Sequence, residues 1–331
     1  MGWLGKLKLL GGGEDGNKAA SPAAPAPAPA LAPVPQAEID AAYYRWLAGA
    51  LPPYASIERE RRVLDELARL AAAPIAGAAL VPRLPEIIPQ LMRILRDEDM
   101  NVAELSRQLS QDLVLVAEVY REANRPAYLP RYHAGPPVNS LDSAIMLLGQ
   151  NGMRMLLARV AFRPVISMQD GRHTKRLAPL VWRQSEKCAL AASLLAPALR
   201  ANAFEAYLAG LMENVGLVVA FRLIDQVCPE DQLPHSDAFV AALFAQARIL
   251  SARIAELWEF PAPVAQAIEA AGRDDAPPPA RALALGDRLA KLRLLVDATE
   301  LQADDPFVIA GLDDAALACF EKLQDDEDEA A

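Results

Sequence analysis

Few residues in this chain could do chemistry, and their placement narrows that chemistry further. The 331 residues include three histidines, His133, His173 and His235. His133 lies in a proline-rich stretch, His173 follows Gly171, and His235 adjoins Pro234. All three read as surface or loop histidines and not as metal ligands. Cys188, Cys228 and Cys319 are far apart, form no CxxC pair and are odd in number. They read as small buried thiols of a reducing compartment. Ser185 beside Glu186 has no histidine placed to activate it. The glycines at 11–13 lack the strand–helix context of a phosphate loop. Asp97, Glu98 and Asp99 lack calcium-loop spacing and mark a helix end or turn. The most informative stretch is Leu208-Ala209-Gly210-Leu211-Met212-Glu213-Asn214-Val215-Gly216. It is an apolar helical run with a carboxylate and an amide near its end. Imidazole is the usual strong metal ligand and an amide is a poor one.

The elements that must position these residues are helices. Hydrophobic residues make up 53% of the chain, aromatics only 6%, and Ala and Leu dominate, with hardly any strand-like alternation. The length suffices for one large core or two smaller ones. The net charge of −10 gives no support to wholesale binding of a nucleic-acid backbone. No apolar run reaches the roughly 20 residues that span a bilayer. Residues 1–10 mix Trp3 and four leucines with Lys6 and Lys8. They make a poor signal peptide but could touch a membrane peripherally.

Four regions follow. Residues 1–36 form a disordered segment that includes an Ala/Pro linker, because such a composition cannot bury enough surface to offset its ordering entropy. Residues 37–72 form an N-terminal helical region, with Ile39, Tyr43, Trp46 and Leu47 on one apolar face and Pro52-Pro53 as a break. Its charged run from Glu58 to Glu66 reads as a solvated face. Residues 81–322 form the main helical body. In it, Pro85 starts a helix, Asn101 caps the next, Asn139 or Ser140 caps another that breaks at Gly149–Gly152, and five further helices span 176–200, 202–225, 237–258, 263–271 and 279–299. Residues 323–331 form an acidic, disordered tail. Trp46, Trp182 and Trp258 read as core anchors. Arg121, Arg125 and Arg131 cluster near the proline-rich loop and read as solvated.

Several segments together carry a resemblance. Gln111-Asp112, Val119, Ala123-Asn124 and Ala127-Tyr128 are similar to a first signature. Ser140-Leu141, Ala144-Ile145, Leu148-Gly149 and Arg154 are similar to a second. Trp182-Arg183, Leu208–Gly216 and Trp258-Glu259-Phe260-Pro261 resemble W-R-H-S, L-A-G-L-L-H-D-I-G and W-G-L-P elements. In order and spacing the chain resembles the HDOD family, the HD-related output domains of bacterial signalling proteins, from Val81 to Ala271. The resemblance implies an all-α, HD-related multi-helix bundle in two packed subregions.

It also implies where a metal site would have been. Gln184 stands at the position of the first histidine, Glu213-Asn214 at the His-Asp pair, and Asp287 at the later aspartate. Only Asp287 survives as a ligand of the usual kind; Glu213 could in principle coordinate beside it, but two carboxylates without preorganised partners would hold a divalent metal weakly. The expectation is therefore a non-enzymatic, cytoplasmic signalling or scaffolding protein with no cofactor and no metal. It would act on signalling-protein partners, with no nucleic-acid partner and no integral membrane span. Two alternatives stay open: a nucleotide sensor using the vestigial pocket between the Gln184 and Glu213 helices, and a residual metal-dependent phosphohydrolase. Lys187, one turn after Gln184, is a candidate replacement for the missing cation, pairing with Glu213 or Asp287; the alternative is that it points to solvent.

Overall fold

The close approach of three helix backbones fixes the positions of the residues singled out above. In the computed structural model, which describes residues 32–49, 55–72, 79–82, 110, 113–124, 137–167, 170–228 and 232–324, the elements are helical. In chain order the helices among the described residues are α1 (Gln36–Ala48), α2 (Ile57–Ala72), α3 (Leu113–Ala123), α4 (Leu141–Ser167), α5 (Arg172–Leu195), α6 (Ala203–Met212), α7 (Val215–Val227), α8 (Asp237–Leu257), α9 (Ala262–Ala270), α10 (Pro278–Asp297), α11 (Pro306–Ile309) and α12 (Asp314–Lys322). The all-α expectation holds. The residue 1–31 segment, the helices expected around Pro85 and Asn101, the acidic cluster at 97–99, Gln111-Asp112, Arg125, Arg131, His133 and residues 325–331 lie outside the described residues.

Helix α5 is the hub, packing on α10, α6, α7, α4 and α12. Its side toward α6 and α10 is built from small residues, and two glycines on those helices meet it. A Cβ at Gly210 would lie 2.5 Å from the Cα of Ala189, and one at Gly286 would lie 2.9 Å from the Ala192 nitrogen. Backbones this close leave no space for a side chain. The start of α5 has no cap of its own. Asp225 of α7 supplies one, accepting from the His173 N–H (2.7 Å), the Thr174 N–H (3.1 Å) and the Thr174 hydroxyl (2.6 Å). A carboxylate is favoured there by the orphan N–H groups and the helix dipole. The capping draws His173 inward, so it is a buried residue of α5 and not the surface histidine expected.

Residues 202–225, expected as one helix, are two. Asn202 caps α6, and the chain breaks at Glu213-Asn214 before α7. Ser251 of α8 bridges the break. Its hydroxyl accepts from the Gly216 N–H (2.8 Å) and donates to the Glu213 carbonyl (2.5 Å). Helix α4 keeps the expected interruption as a kink at Gly149, with φ 66°. The Ser140 hydroxyl accepts from the Ser143 N–H at its start. By length and apolarity alone, Ala203–Val227 and Asp237–Leu257 could cross a bilayer; the first is 94% buried within the protein and is interrupted at Glu213-Asn214.

Three expectations about the edges change. Order begins before residue 37: Val34 packs on a small core with Leu289 and Phe320, and Arg288 donates to its carbonyl at 2.7 Å. Helices α1 and α2 share the main core with the body, through Tyr43, Tyr44, Leu47, Val63 and Leu67. The charged run of α2 is not purely a solvated face, because Glu60 is buried and accepts from the Ser236 N–H (3.0 Å) and hydroxyl (2.7 Å). At the other end Leu323 is buried, not part of a free tail. Trp182 and Trp258 are core residues, and Trp46 packs on the core partly buried. Cys188, Cys228 and Cys319 are free and buried.

The hub contact is testable. Gly210→Ala forces a methyl into the Ala189 backbone, and overpacking of this kind costs about 1–3 kcal/mol. Urea unfolding should show a lower midpoint with little change in slope; an unchanged midpoint would mean that the α5–α6 spacing relaxes freely.

Candidate functional site

Four sequence-predicted residues converge where α5, the α6–α7 break and α10 meet. Gln184, Glu213, Asn214 and Asp287 are each at most 5% exposed. They form a relay. Asn214 Nδ2 donates to Gln184 Oε1 and, at 3.3 Å, to the Ser185 hydroxyl. Gln184 Nε2 in turn donates to Asp287 Oδ1 at 2.6 Å. The two amides satisfy one another. The Gln184 and Glu213 helices meet here through these hydrogen-bonded side chains.

The cation is Lys291, not Lys187. Lys187 is buried, but its ammonium donates to the Leu323 carbonyl (2.5 Å) and lies 3.3 Å from Asp297. The end of α10 and the residue after α12 thus satisfy it, and it neither bridges to Glu213 or Asp287 nor faces solvent. Lys291, one turn beyond Asp287 on α10, is 1% exposed. Its Nζ donates to Asp287 Oδ2 and Asp40 Oδ1, both at 2.7 Å, and sits 4.5 Å from the Phe244 ring centroid. Asp40 comes from α1, as does Gln36, whose amide donates to Asp40 (2.9 Å) and Asp287 (3.2 Å). A second cation, Arg248 of α8, pairs with Glu213 at 3.5 Å. Sequence reasoning missed Asp40, Arg248 and Lys291. The i,i+4 spacing of Asp287 and Lys291 was the one signal available, because such a pair shares a helix face.

Three carboxylates and two cations now share a buried volume. Burial, reinforced by Asp287 and opposed by Arg248 and Lys291, pushes the Glu213 carboxyl up to about 7. Burial also raises Asp287, with Lys291 pulling the other way. Burial works against the charge on Lys291, but Asp287, Asp40 and Glu213 outweigh it and hold the ammonium charged. The Cys188 thiol, 3.5 Å from Glu213 Oε2, is raised by burial and then by the two carboxylates, so it stays protonated.

Cys188, Glu213 and Asp287 place ligand atoms within 4.8 Å of one another. This donor set does not fit a divalent metal of the HD type. An ammonium already sits 2.7 Å from Asp287, the thiol is not a thiolate, and amides replace imidazoles.

An all-α, HD-like bundle with a buried amide-and-ammonium cluster is the class that fold and site define. The HDOD domain family matches residues 81–273, and the chain belongs to that family. A curated relative, an uncharacterised protein of Treponema pallidum (strain Nichols), is 22% identical over 222 residues; the match spans 64% of this chain and 41% of the relative's length. Among solved structures, a protein of Shewanella amazonensis SB2B provisionally named a metal-dependent phosphohydrolase superposes with TM-score 0.55 at 17% identity, covering 81% of this chain and 98% of that one. An HDOD domain protein of unknown function from Geobacter sulfurreducens gives 0.53 at 21%, covering 81% and 94%. A protein of Marinobacter aquaeolei VT8 provisionally named for signal transduction gives 0.50 at 21%, covering 84% and 65%. At these identities the likeness is one of fold.

Two outcomes follow from the electrostatics. Lys291→Met strands two buried carboxylates, and losing one partner of such a group costs about 3–5 kcal/mol; a loss below about 1 kcal/mol in urea unfolding would show that Asp40 and Asp287 do not depend on the ammonium. The Glu213 carboxyl ionises near 4.5 when unfolded and about 7 when folded, so folding takes up a proton between those values. Its contribution to stability is therefore intact below the first value and declines as pH rises through the second. Unfolding measured across pH 5 to 8 should show a shallower decline for Glu213→Gln than for the native chain; parallel curves would place the titration elsewhere.

Proposed function

We propose that this chain is a non-catalytic signal-transduction or scaffolding protein that works by binding partner proteins through its helical surfaces. One observation carries the reading: the Lys291 ammonium bridges Asp287 and Asp40 at 2.7 Å, where hydrolytic chemistry of the HD type would need a metal-bound water. An internal cation neutralises the surviving carboxylate permanently. The scaffold around it keeps its order, and a stable surface is what a docking protein needs. Membership of the HDOD family supports a role in signalling. The net charge of −10 speaks for protein partners over nucleic acid. Three free, buried cysteines support a reducing, cytoplasmic setting.

The alternative is a residual metal-dependent phosphohydrolase, favoured only by the closeness of Cys188, Glu213 and Asp287. Elemental analysis of the purified full chain, paired with turnover assays on phosphomonoesters, phosphodiesters and nucleotides, separates the two. The expected result is zinc, manganese and iron well below one per chain, and no turnover above buffer. Stoichiometric metal together with hydrolysis that Asp287→Asn abolishes would overturn the proposal.

A further inference from the structure

The chain is acidic overall, yet among the described residues one cleft is lined by three arginines and by no carboxylate. It has a volume of about 320 Å³ and lies between the α9–α10 turn, the start of α10 and the N-terminal end of α1. On α10, Arg281, Ala284, Leu285 and Arg288 follow the i, i+3, i+4, i+7 spacing of a single helix face. Arg273 and Ala276 face them from the turn, which Gly272 permits with φ +82°.

The charges here are under-compensated. The Arg281 guanidinium is exposed and makes no hydrogen bond or ion pair with any described residue. Arg281 sits near the N-terminal end of α10, where the dipole disfavours a cation and no acidic residue occupies the first turn. Arg288 is partly buried and, among the described residues, bonds only neutral groups, the carbonyls of Val34 (2.7 Å) and Ala310 (3.3 Å). Burial without a counter-ion lowers its pKa. A guanidinium has five N–H donors, so Arg288 keeps donors to spare. Arg273 has a carboxylate partner, Glu269 at 3.2 Å, but the pair is solvent-exposed and weakly held. Asp274 and Asp275 are exposed on the same turn and do not line the cleft. Helix α10 opens with Pro278 and Pro279, which carry no N–H, so an anion here would be held by guanidiniums and not by backbone.

We propose that this cleft binds a phosphate-bearing small molecule of mononucleotide size. The phosphate would bridge Arg281 and Arg273 and reach Arg288, and a planar base would lie over Ala276, Ala284 and Leu285. Planar guanidiniums match phosphate oxygens in bidentate fashion, and the volume is at the small end for ligand sites. The cleft shares Gln36 with the buried cluster but none of its charged groups. Binding here therefore stands or falls apart from the non-catalytic reading, which is decided by metal content and turnover.

The test is calorimetry on the full chain with AMP and with adenosine. AMP should bind saturably at one site with Kd below about 1 mM, and adenosine about tenfold or more weaker. Arg281→Ala should weaken AMP about tenfold while leaving the melting temperature unchanged, because that side chain has no partner among the described residues. Arg273→Ala should weaken it by a smaller factor, since Glu269 already competes for that group. Absence of saturable AMP binding, equal affinity for adenosine, or affinity indifferent to Arg281→Ala would each overturn the proposal.

Discussion

The buried polar groups where α1, α8 and α10 meet are arranged around one ammonium group. Lys291 is almost completely buried, and a buried lysine keeps its charge only if its surroundings outweigh the lost hydration. Asp287 on the same helix and Asp40 on α1 do this from two sides, and the ring of Phe244 closes a third. Each partner depends on the others. Without the ammonium two carboxylates would be isolated in an apolar interior; without α1 the ammonium would have half its counter-charge. The glutamine–asparagine relay completes the shell by meeting the remaining oxygen of Asp287 with a neutral donor. The result is a buried ion pair whose ammonium and carboxylate oxygens are met by internal partners.

That arrangement is possible because the scaffold holds backbones close. Gly210 and Gly286 bring α6 and α10 onto the small-residue side of α5, and each glycine lies within three residues of a site side chain. The break at Glu213-Asn214, tied across by Ser251, then places both side chains in the interior where one continuous helix would have separated them by 100°. Packing geometry and site geometry are therefore one constraint. The same glycines that set helix spacing also set how far Gln184 is from Asp287.

Much of this was legible in the residues. Periodicity located α1, α2 and the long helices of the body to within a few positions, and capping chemistry narrowed one helix start to Asn139 or Ser140, of which Ser140 makes the bond. The positions of Gln184, Glu213, Asn214 and Asp287 came from the family motifs, and all four meet in space. What sequence could not give was the partner across the fold. Lys187 and Lys291 both lie one turn from a site residue, and nothing in a linear string says which of two helix faces is turned inward. Asp40 is 247 positions from Asp287 and 251 from Lys291, and no local pattern in its own helix points to either. Likewise Glu60 looked like one more member of a charged run until Ser236 took it into the core. In each case tertiary contact overrode a local reading that was sound for an isolated helix.

The span between Asp40 and Lys291 also bears on how the chain comes into being. The aspartate leaves the ribosome 251 residues before the lysine that completes its environment. At roughly 5–20 residues per second, that interval lasts on the order of tens of seconds. Through all of it the first helix has no counter-ion for its carboxylate and no tenth helix to lie against. Burial of Asp40 must therefore be among the last acts of assembly, and it seals the beginning of the polypeptide against its final third like a clasp.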